Sequence, residues 1–297
     1  MIKNFFLSLL FFLFFPIWTE GAVLYLEPSE DKFQIGDTFL VEIKIDTEEE
    51  CINTVEAELK FSSNLLKVIN FNQGLSIITL WVKPPKINQE IGLISFAGGI
   101  PGGYCGEMPG DPGPSHILGK IIFQASNEGE AKLNFLEGTQ VLLNDGLGNS
   151  AKLTFKEAIF TILSEKEEPL KNEWQGELLK DIFLPEPFEI EIHQDPKIFD
   201  NKYFIIFSTA DKQTGIDYYE IKEGKGDWKR AESPYLLEDQ GLKSIIKVKA
   251  VDKAGNERTA EYMPSKKPFP YWIIIIIIGL VIISWYIISK IKKQISK

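Results

Sequence analysis

Histidine and cysteine are nearly missing from this chain, with two of each in 297 residues. That scarcity excludes a metal centre built from clustered His and Cys, which takes several such ligands at close spacing. It leaves little for acid–base catalysis either. His116 lies in a Gly/Pro stretch and His193 near a strand end. Ser115 adjoins His116, but sequence neighbours rarely form a nucleophile–base pair, and no third group can be nominated. Carboxylates are plentiful, yet acidic residues on strands are usually a solvated face, so no glycosidase pair is assigned. No enzyme activity and no cofactor are expected. Positive charge is also in deficit. A net charge of −10 and a pI near 5.0 argue against nucleic acid or an anionic lipid surface as partner. Helical periodicity is absent too: no convincing amphipathic helix appears between residues 22 and 163.

Both ends of the chain are membrane-directed. Lys3 precedes the apolar run "FFLSLLFFLFF" (residues 5–15), then Pro16 and the small residues around Thr19 and Gly21. A charged n-region, a short apolar h-region and small residues at the cleavage positions make a signal peptide of residues 1–21. "YWIIIIIIGLVIISWYIIS" (271–289) is free of charge and ends in aromatic pairs on both sides. At about 1.5 Å per residue it reaches roughly 28 Å, the thickness of a bilayer core, and it reads as a transmembrane helix. Residues 290–297, with Lys290, Lys292, Lys293 and Lys297, form a basic tail placed inside. The expected location is therefore the cell membrane, single-pass type I, with residues 22–270 outside.

Between the ends the pattern is period two. Phe39, Val41, Ile43 and Ile45 alternate with Leu40, Glu42, Lys44 and Asp46 in "TFLVEIKID". Val55, Ala57, Leu59 and Phe61 do the same in "TVEAELKF". These are strands with one buried face. "LGKIIFQA", "AKLNFL" and "KEAIFTIL" continue the series, with turns at "SNEG" and "NDGLGN". The stretch "ISFAGGIPGGYCGEMPGDPGPSHILGKIIF" (94–123) interrupts it with glycine and proline. No Lys-Ser or Lys-Thr follows the glycines to open a helix, so it is not a phosphate cradle. It reads as a long surface loop within one β-sandwich spanning residues 22–163. A polar linker, 164–185, follows; Trp174, Leu178 and Leu179 suggest that part of it is a short helix packed on a neighbour. A second β pattern, 186–264, includes "FEIEIH", "YFIIFST", "IDYYEI" and "SIIKVKAVD", with "DKAGN" as a hairpin turn. The whole is all-β.

The first domain resembles the cohesin family, jelly-roll sandwiches related to carbohydrate-binding modules. The matching segments are "IGDTFLVEIKIDT", "INTVEAELKFSSNLLKVINFNQG", "GLISFAGGIP", "LGKIIFQASNEGEAKLNF" and "VLLNDGLGNSAKL", in the family's order across residues 23–163. The second domain is similar to bacterial immunoglobulin-like repeats through "STADKQTGIDYYEI", "WKRAESPYLL" and "IKVKAVDKAGN". The first resemblance implies non-catalytic recognition. In cohesins one sheet face receives a dockerin, a small calcium-binding helical module of another protein, here supplied in trans. Direct polysaccharide binding and a purely structural stalk are the alternatives.

On residues, Thr54, Glu56, Glu58 and Lys60 share the face opposite Val55, Ala57, Leu59 and Phe61 and are the candidate partner-binding face. Trp81 is a further candidate, because an exposed Trp stacks on a sugar or anchors an interface, although such a Trp is more often half-buried core. Cys51 and Cys105 are compatible with one disulfide in an exported region; two free thiols or an intermolecular bond are the alternatives. Asn144, Asp145 and Asn149 in one loop, and Glu107 and Asp111 in another, offer oxygen ligands to calcium. Neither loop has the ligand density of a dedicated calcium site, and Asn-Asp-Gly is first of all a turn.

Overall fold

The computed structural model describes residues 21–48, 50–106, 116–164, 169–264 and 271–295. The signal segment, Glu107, Asp111 and Ser115 lie outside them. Twelve strands build the first domain: β1 Ala22–Pro28, β2 Lys32–Gln34, β3 Thr38–Asp46, β4 Ile52–Phe61, β5 Leu66–Asn72, β6 Leu80–Asn88, β7 Leu93–Tyr104, β8 Ile117–Ala125, β9 Gly129–Phe135, β10 Gln140–Leu143, β11 Leu153–Lys156 and β12 Ala158–Leu163. Helix α1, Glu173–Lys180, follows. The second domain holds β13 Glu191–Asp195, β14 Ile198–Ile206, β15 Ile216–Glu223, β16 Lys229–Ala231, β17 Tyr235–Leu236, β18 Ile246–Asp252 and β19 Glu257–Tyr262, and α2 spans Tyr271–Ile295.

The first domain is a two-sheet sandwich. One sheet runs β11-β1-β3-β8-β5; the other runs β2-β12-β9-β4-β7-β6, with β10 also pairing β4. Pairing is antiparallel except where β11 lies parallel to β1 and β2 parallel to β12. The inner faces meet in one apolar core that includes Leu24, Phe39, Ile43, Leu59, Phe96, Phe123, Leu133 and Phe160, each almost fully buried. The period-two pattern is the cause: β4 buries Val55, Ala57, Leu59 and Phe61 and leaves the residues between them at the surface.

The two outer faces are treated differently. On the five-stranded sheet, Leu40 and Ile122 face outward and would be wet, but Trp174 and Leu178 of α1 cover them. This explains why "LGKIIFQA" reads as a nearly continuous apolar run: β8 is buried on both sides. An eight-residue helix is marginal alone; here it is tied down. The Asn172 side chain accepts the Gln175 amide at 2.9 Å as an N-cap. The Glu173 carboxylate accepts the Leu40 amide at 2.9 Å, and Glu177 pairs with the buried Lys120 at 3.1 Å. Leu179, the third residue singled out in this segment, points to solvent at 75% exposure. The outer face of the seven-stranded sheet has no such cover among the described residues.

The glycine-rich stretch departs from the expected loop. Strand β7 continues through Gly98 and Gly99 to Tyr104, and β8 begins at Ile117. The reason is steric. A Cβ on Gly98 would sit 2.2 Å from the Ile78 side chain and 2.8 Å from the Leu80 carbonyl, so only glycine lets the neighbouring chain approach.

The second domain is a smaller sandwich of a three-stranded sheet, β13-β14-β17, and a four-stranded sheet, β16-β15-β18-β19. Its core is Ile205, Phe207, Ile221, Leu237, Ile246 and Val248, with Phe188, Tyr203 and Tyr219 packed around it. It touches the first domain through specific polar contacts: Asn72 Nδ2 donates to the Gln213 carbonyl at 2.9 Å, and Lys253 Nζ to the Phe71 carbonyl at 2.7 Å. The side chains of α2 are described over residues 274–288 only. Among the described residues no helix is long and apolar enough to cross a membrane.

Candidate functional site

Strand β4 lies at the middle of the uncovered face, and its register identifies what surrounds the four residues singled out from sequence. Thr54 stands opposite Gly99 of β7, Glu56 opposite Ala97, Glu58 opposite Ser95 and Lys60 opposite Leu93. One strand further out, Leu80, Lys83, Lys86 and Asn88 of β6 continue these rows. On the other side Gln140 pairs Glu56, Leu142 pairs Thr54, and Asn134 pairs Lys60. Because Gly99, Ala97 and Ser95 are small, the centre of the face is low, and the longer β4 and β6 side chains border it.

The charges on this face are organised. Lys83 Nζ meets Glu56 Oε1 at 2.6 Å across the small-residue row of β7. The hydrogen bond that Lys83 donates to that carboxylate raises the lysine pKa above its ordinary value. Lys60 Nζ donates to the Ile91 carbonyl. Thr54 Oγ1 donates to Asn53 Oδ1 at 3.0 Å. The Glu58 carboxylate lies over Gly138, where an added Cβ would come within 2.6 Å of it. The Glu58 amide donates to Thr139 Oγ1 at 3.1 Å. The result is a mixed-charge surface, low along β7 and bordered by the side chains of β4 and β6.

Trp81 is not brought onto that face. It pairs Gly98, which itself pairs Val55, so it belongs to the core-facing side of β6. There it is half-buried, with its ring centroid 6.2 Å from Phe71 and 5.7 Å from Phe96. Its outer edge lines a cleft of about 1190 Å³ between the domains, together with Tyr218, Tyr219 and Arg230.

The disulfide is present. Cys51 and Cys105 are bonded at 2.03 Å, and no free cysteine remains among the described residues. Its place follows from the ladder: Ile52 pairs Tyr104, so the two cysteines are the next step outward on β4 and β7. The bond closes the end of the candidate face. Tyr104, fully buried, places its hydroxyl 3.0 Å from His116 Nδ1 and 3.0 Å from the Gly106 carbonyl. His193 pairs with Glu191 at 3.1 Å and stacks on Phe204. Each histidine thus has a local structural partner.

The "NDGLGN" loop folds on itself. Asp145 Oδ1 accepts the Leu147 amide at 2.8 Å and Oδ2 accepts Asn149 Nδ2 at 2.6 Å, while Asn144 reaches the Gly102 carbonyl at 3.2 Å. The Leu147 amide is the main reason the Asp145 pKa falls below its ordinary value. Gly146 and Gly148 hold positive φ, as the turn requires.

Sequence reasoning missed the β6 and β7 residues that complete the face. "LWVKPPKIN" has no period two, because Pro84, Pro85 and two register shifts interrupt it. The available signal was position: proline is tolerated on a sheet edge, and β6 is one.

No protein-family model matches the chain, and no curated protein matches it. Among solved structures, a non-cellulosomal cohesin from the archaeon Archaeoglobus fulgidus is 18% identical with a TM-score of 0.38, over 49% of this chain and 93% of that one. The seventh type I cohesin of the ScaB protein of Pseudobacteroides cellulosolvens is 17% identical with a TM-score of 0.38, over 50% and 96%. A type I cohesin–dockerin complex from Clostridium thermocellum gives 15% identity and 0.38, over 49% and 95%. About half of this chain is thus similar to cohesin domains, and the two-sheet description above rests on the strand pairing itself.

Proposed function

We propose that this is a non-catalytic, membrane-anchored surface protein whose first domain is a cohesin-like recognition module. Its partner is a protein, of the dockerin type, docking on the outward face of β4. The second domain serves as an immunoglobulin-like spacer, residues 164–185 as the connection, and 271–289 as the anchor of a type I topology. The observation that carries the reading is the asymmetry of the sandwich. The five-stranded sheet has its outer face covered by α1, whereas the β4 face is uncovered among the described residues and mixed in charge. Such faces suit protein partners, because complementary charges on them set orientation and on-rate.

Direct polysaccharide binding is the second reading, favoured by the aromatic lining of the Trp81 cleft. The deciding experiment presents the purified full chain to a panel of dockerin modules and to a glycan array. Binding to a dockerin module that drops tenfold or more in Glu56→Arg supports the proposal. The Glu56–Lys83 pair is exposed and contributes little to folding, so that variant keeps the sandwich. Glycan signal with no dockerin binding, weakened by Trp81→Ala, would replace it with the second reading.

A further inference from the structure

A different set of carboxylates converges where the connection enters the second domain. Asp181 caps the C-terminus of α1, Asp211 lies in the β14–β15 loop, and Asp252 ends β18. One oxygen of each lies within 4.8 Å of the others, and all three residues are buried, at 6%, 4% and 2% exposure. Bringing three carboxylates together away from water is strongly unfavourable without a compensating charge.

Their existing partners leave a specific gap. Asp211 Oδ1 accepts the amides of Gln213, Thr214 and Gly215 at 2.8–2.9 Å. Asp211 Oδ2 is buried and has no hydrogen-bond partner, which leaves it as the oxygen this residue offers the cluster. Asp181 Oδ1 accepts the Phe183 amide at 3.0 Å, and its Oδ2 accepts the Thr214 hydroxyl at 2.5 Å. Asp252 accepts the Asn256 amide at 2.8 Å and its side-chain amide at 2.9 Å. These turns hold the carboxylates in place while each keeps further lone pairs. The nearby ammonium of Lys253 is directed to the Phe71 carbonyl, and one lysine leaves the group with net negative charge.

We propose that Asp181, Asp211 and Asp252 bind a hard divalent cation, calcium foremost, which fastens the end of α1 to two loops of the second domain. An all-oxygen donor set is what calcium takes. The two loops also carry the interdomain contacts from Gln213 and Lys253, so the ion stiffens the junction between the recognition domain and its spacer.

The test is thermal unfolding and calorimetry of the chelator-treated full chain, titrated with CaCl₂ and separately with MgCl₂. Calcium is expected to bind with a Kd of about 10⁻⁴–10⁻³ M, as in extracellular modules. At about 100 times Kd it should raise the melting temperature of the second domain by roughly 10–20 °C. Asp211→Asn keeps the Oδ1 acceptor for the 213–215 turn but removes the charge, so it should fold, by near-UV circular dichroism, and lose the calcium response. An absence of heat and of any shift with both cations in the wild-type chain overturns the proposal, whatever the variant does. So does an Asp211→Asn chain that responds to calcium as the wild type does. A third result counts against it: Asp211→Asn more stable than wild type in chelator, with no cation response in either, would mean that a shared proton holds the carboxylates together.

Discussion

The two sandwiches reach order by different means. The first buries a continuous apolar core between two broad sheets, in which Phe33, Phe39, Phe123 and Phe160 pack ring against ring. The second has a small core around Ile205, Phe207, Ile221 and Val248, and its loops are organised by carboxylates that gather backbone amides: Asp211, Asp239 and Asp252. Small domains bury a lower fraction of their surface, so more of their order must come from local polar contacts. The difference suits the two roles proposed above, because a recognition face needs a rigid sheet beneath it, while a spacer needs defined ends.

The largest expected effect breaks the first domain alone. Phe123 is fully buried between Phe39 and Phe61, and Phe123→Ala should destabilise that domain by about 3–5 kcal/mol. In a urea or thermal melt, the transition of the first domain should fall while that of the second stays. Movement of both together would show that the domains unfold as one unit and that the contrast is only one of composition.

Next comes the covalent link. Cys51 and Cys105 are 54 residues apart in sequence, so replacing both with serine should remove roughly 2–4 kcal/mol from the first domain. The β4–β7 pairing survives without it, because Ile52 and Tyr104 are buried beside it. A variant melting as the wild type does would mean that β4 and β7 already hold the chain end as tightly as the bond.

Much of this contrast is legible in the sequence, and the failures have physical causes. The alternation of Val55, Ala57, Leu59 and Phe61 against Glu56, Glu58 and Lys60 gives β4, its buried face and the outward row, because a strand has only two sides. The cysteines were readable as a compatible pair, but their bonding depended on the β4–β7 register. Trp81 could not be placed, because the side on which it falls depends on a ladder with two shifts. The glycines of β7 looked like a loop because their function, admitting Ile78, is visible only in three dimensions. The aspartate cluster joins positions 181, 211 and 252, which no motif spacing connects. "DKAGN" was correctly a turn, yet nothing in it announced that Asp252 would face a helix cap.

The smallest effect probes the carboxylate wiring of the second domain directly. Asp239 accepts the amides of Gly241 at 2.9 Å, Lys243 at 2.9 Å and Ser244 at 2.7 Å. The Ser244 side chain, then the amides of Lys243, Ser244 and Gly241, favour the ionised carboxylate and lower its pKa from 3.8 to about 2. The unfolded chain therefore binds a proton first as pH falls. The stabilisation is complete above the unfolded value of 3.8 and disappears as pH drops through about 2. Asp239→Asn cannot ionise, and its amide offers one good acceptor where the carboxylate offered two. The melting temperature of the second domain, followed from pH 5 down to pH 2, should fall more steeply in the wild type than in the variant. The first domain serves as internal reference, since Asp239 has no part in it. Parallel profiles for the two proteins would mean that the loop is held by its backbone turns alone, and the carboxylate would drop out of the account of how the smaller sandwich is ordered.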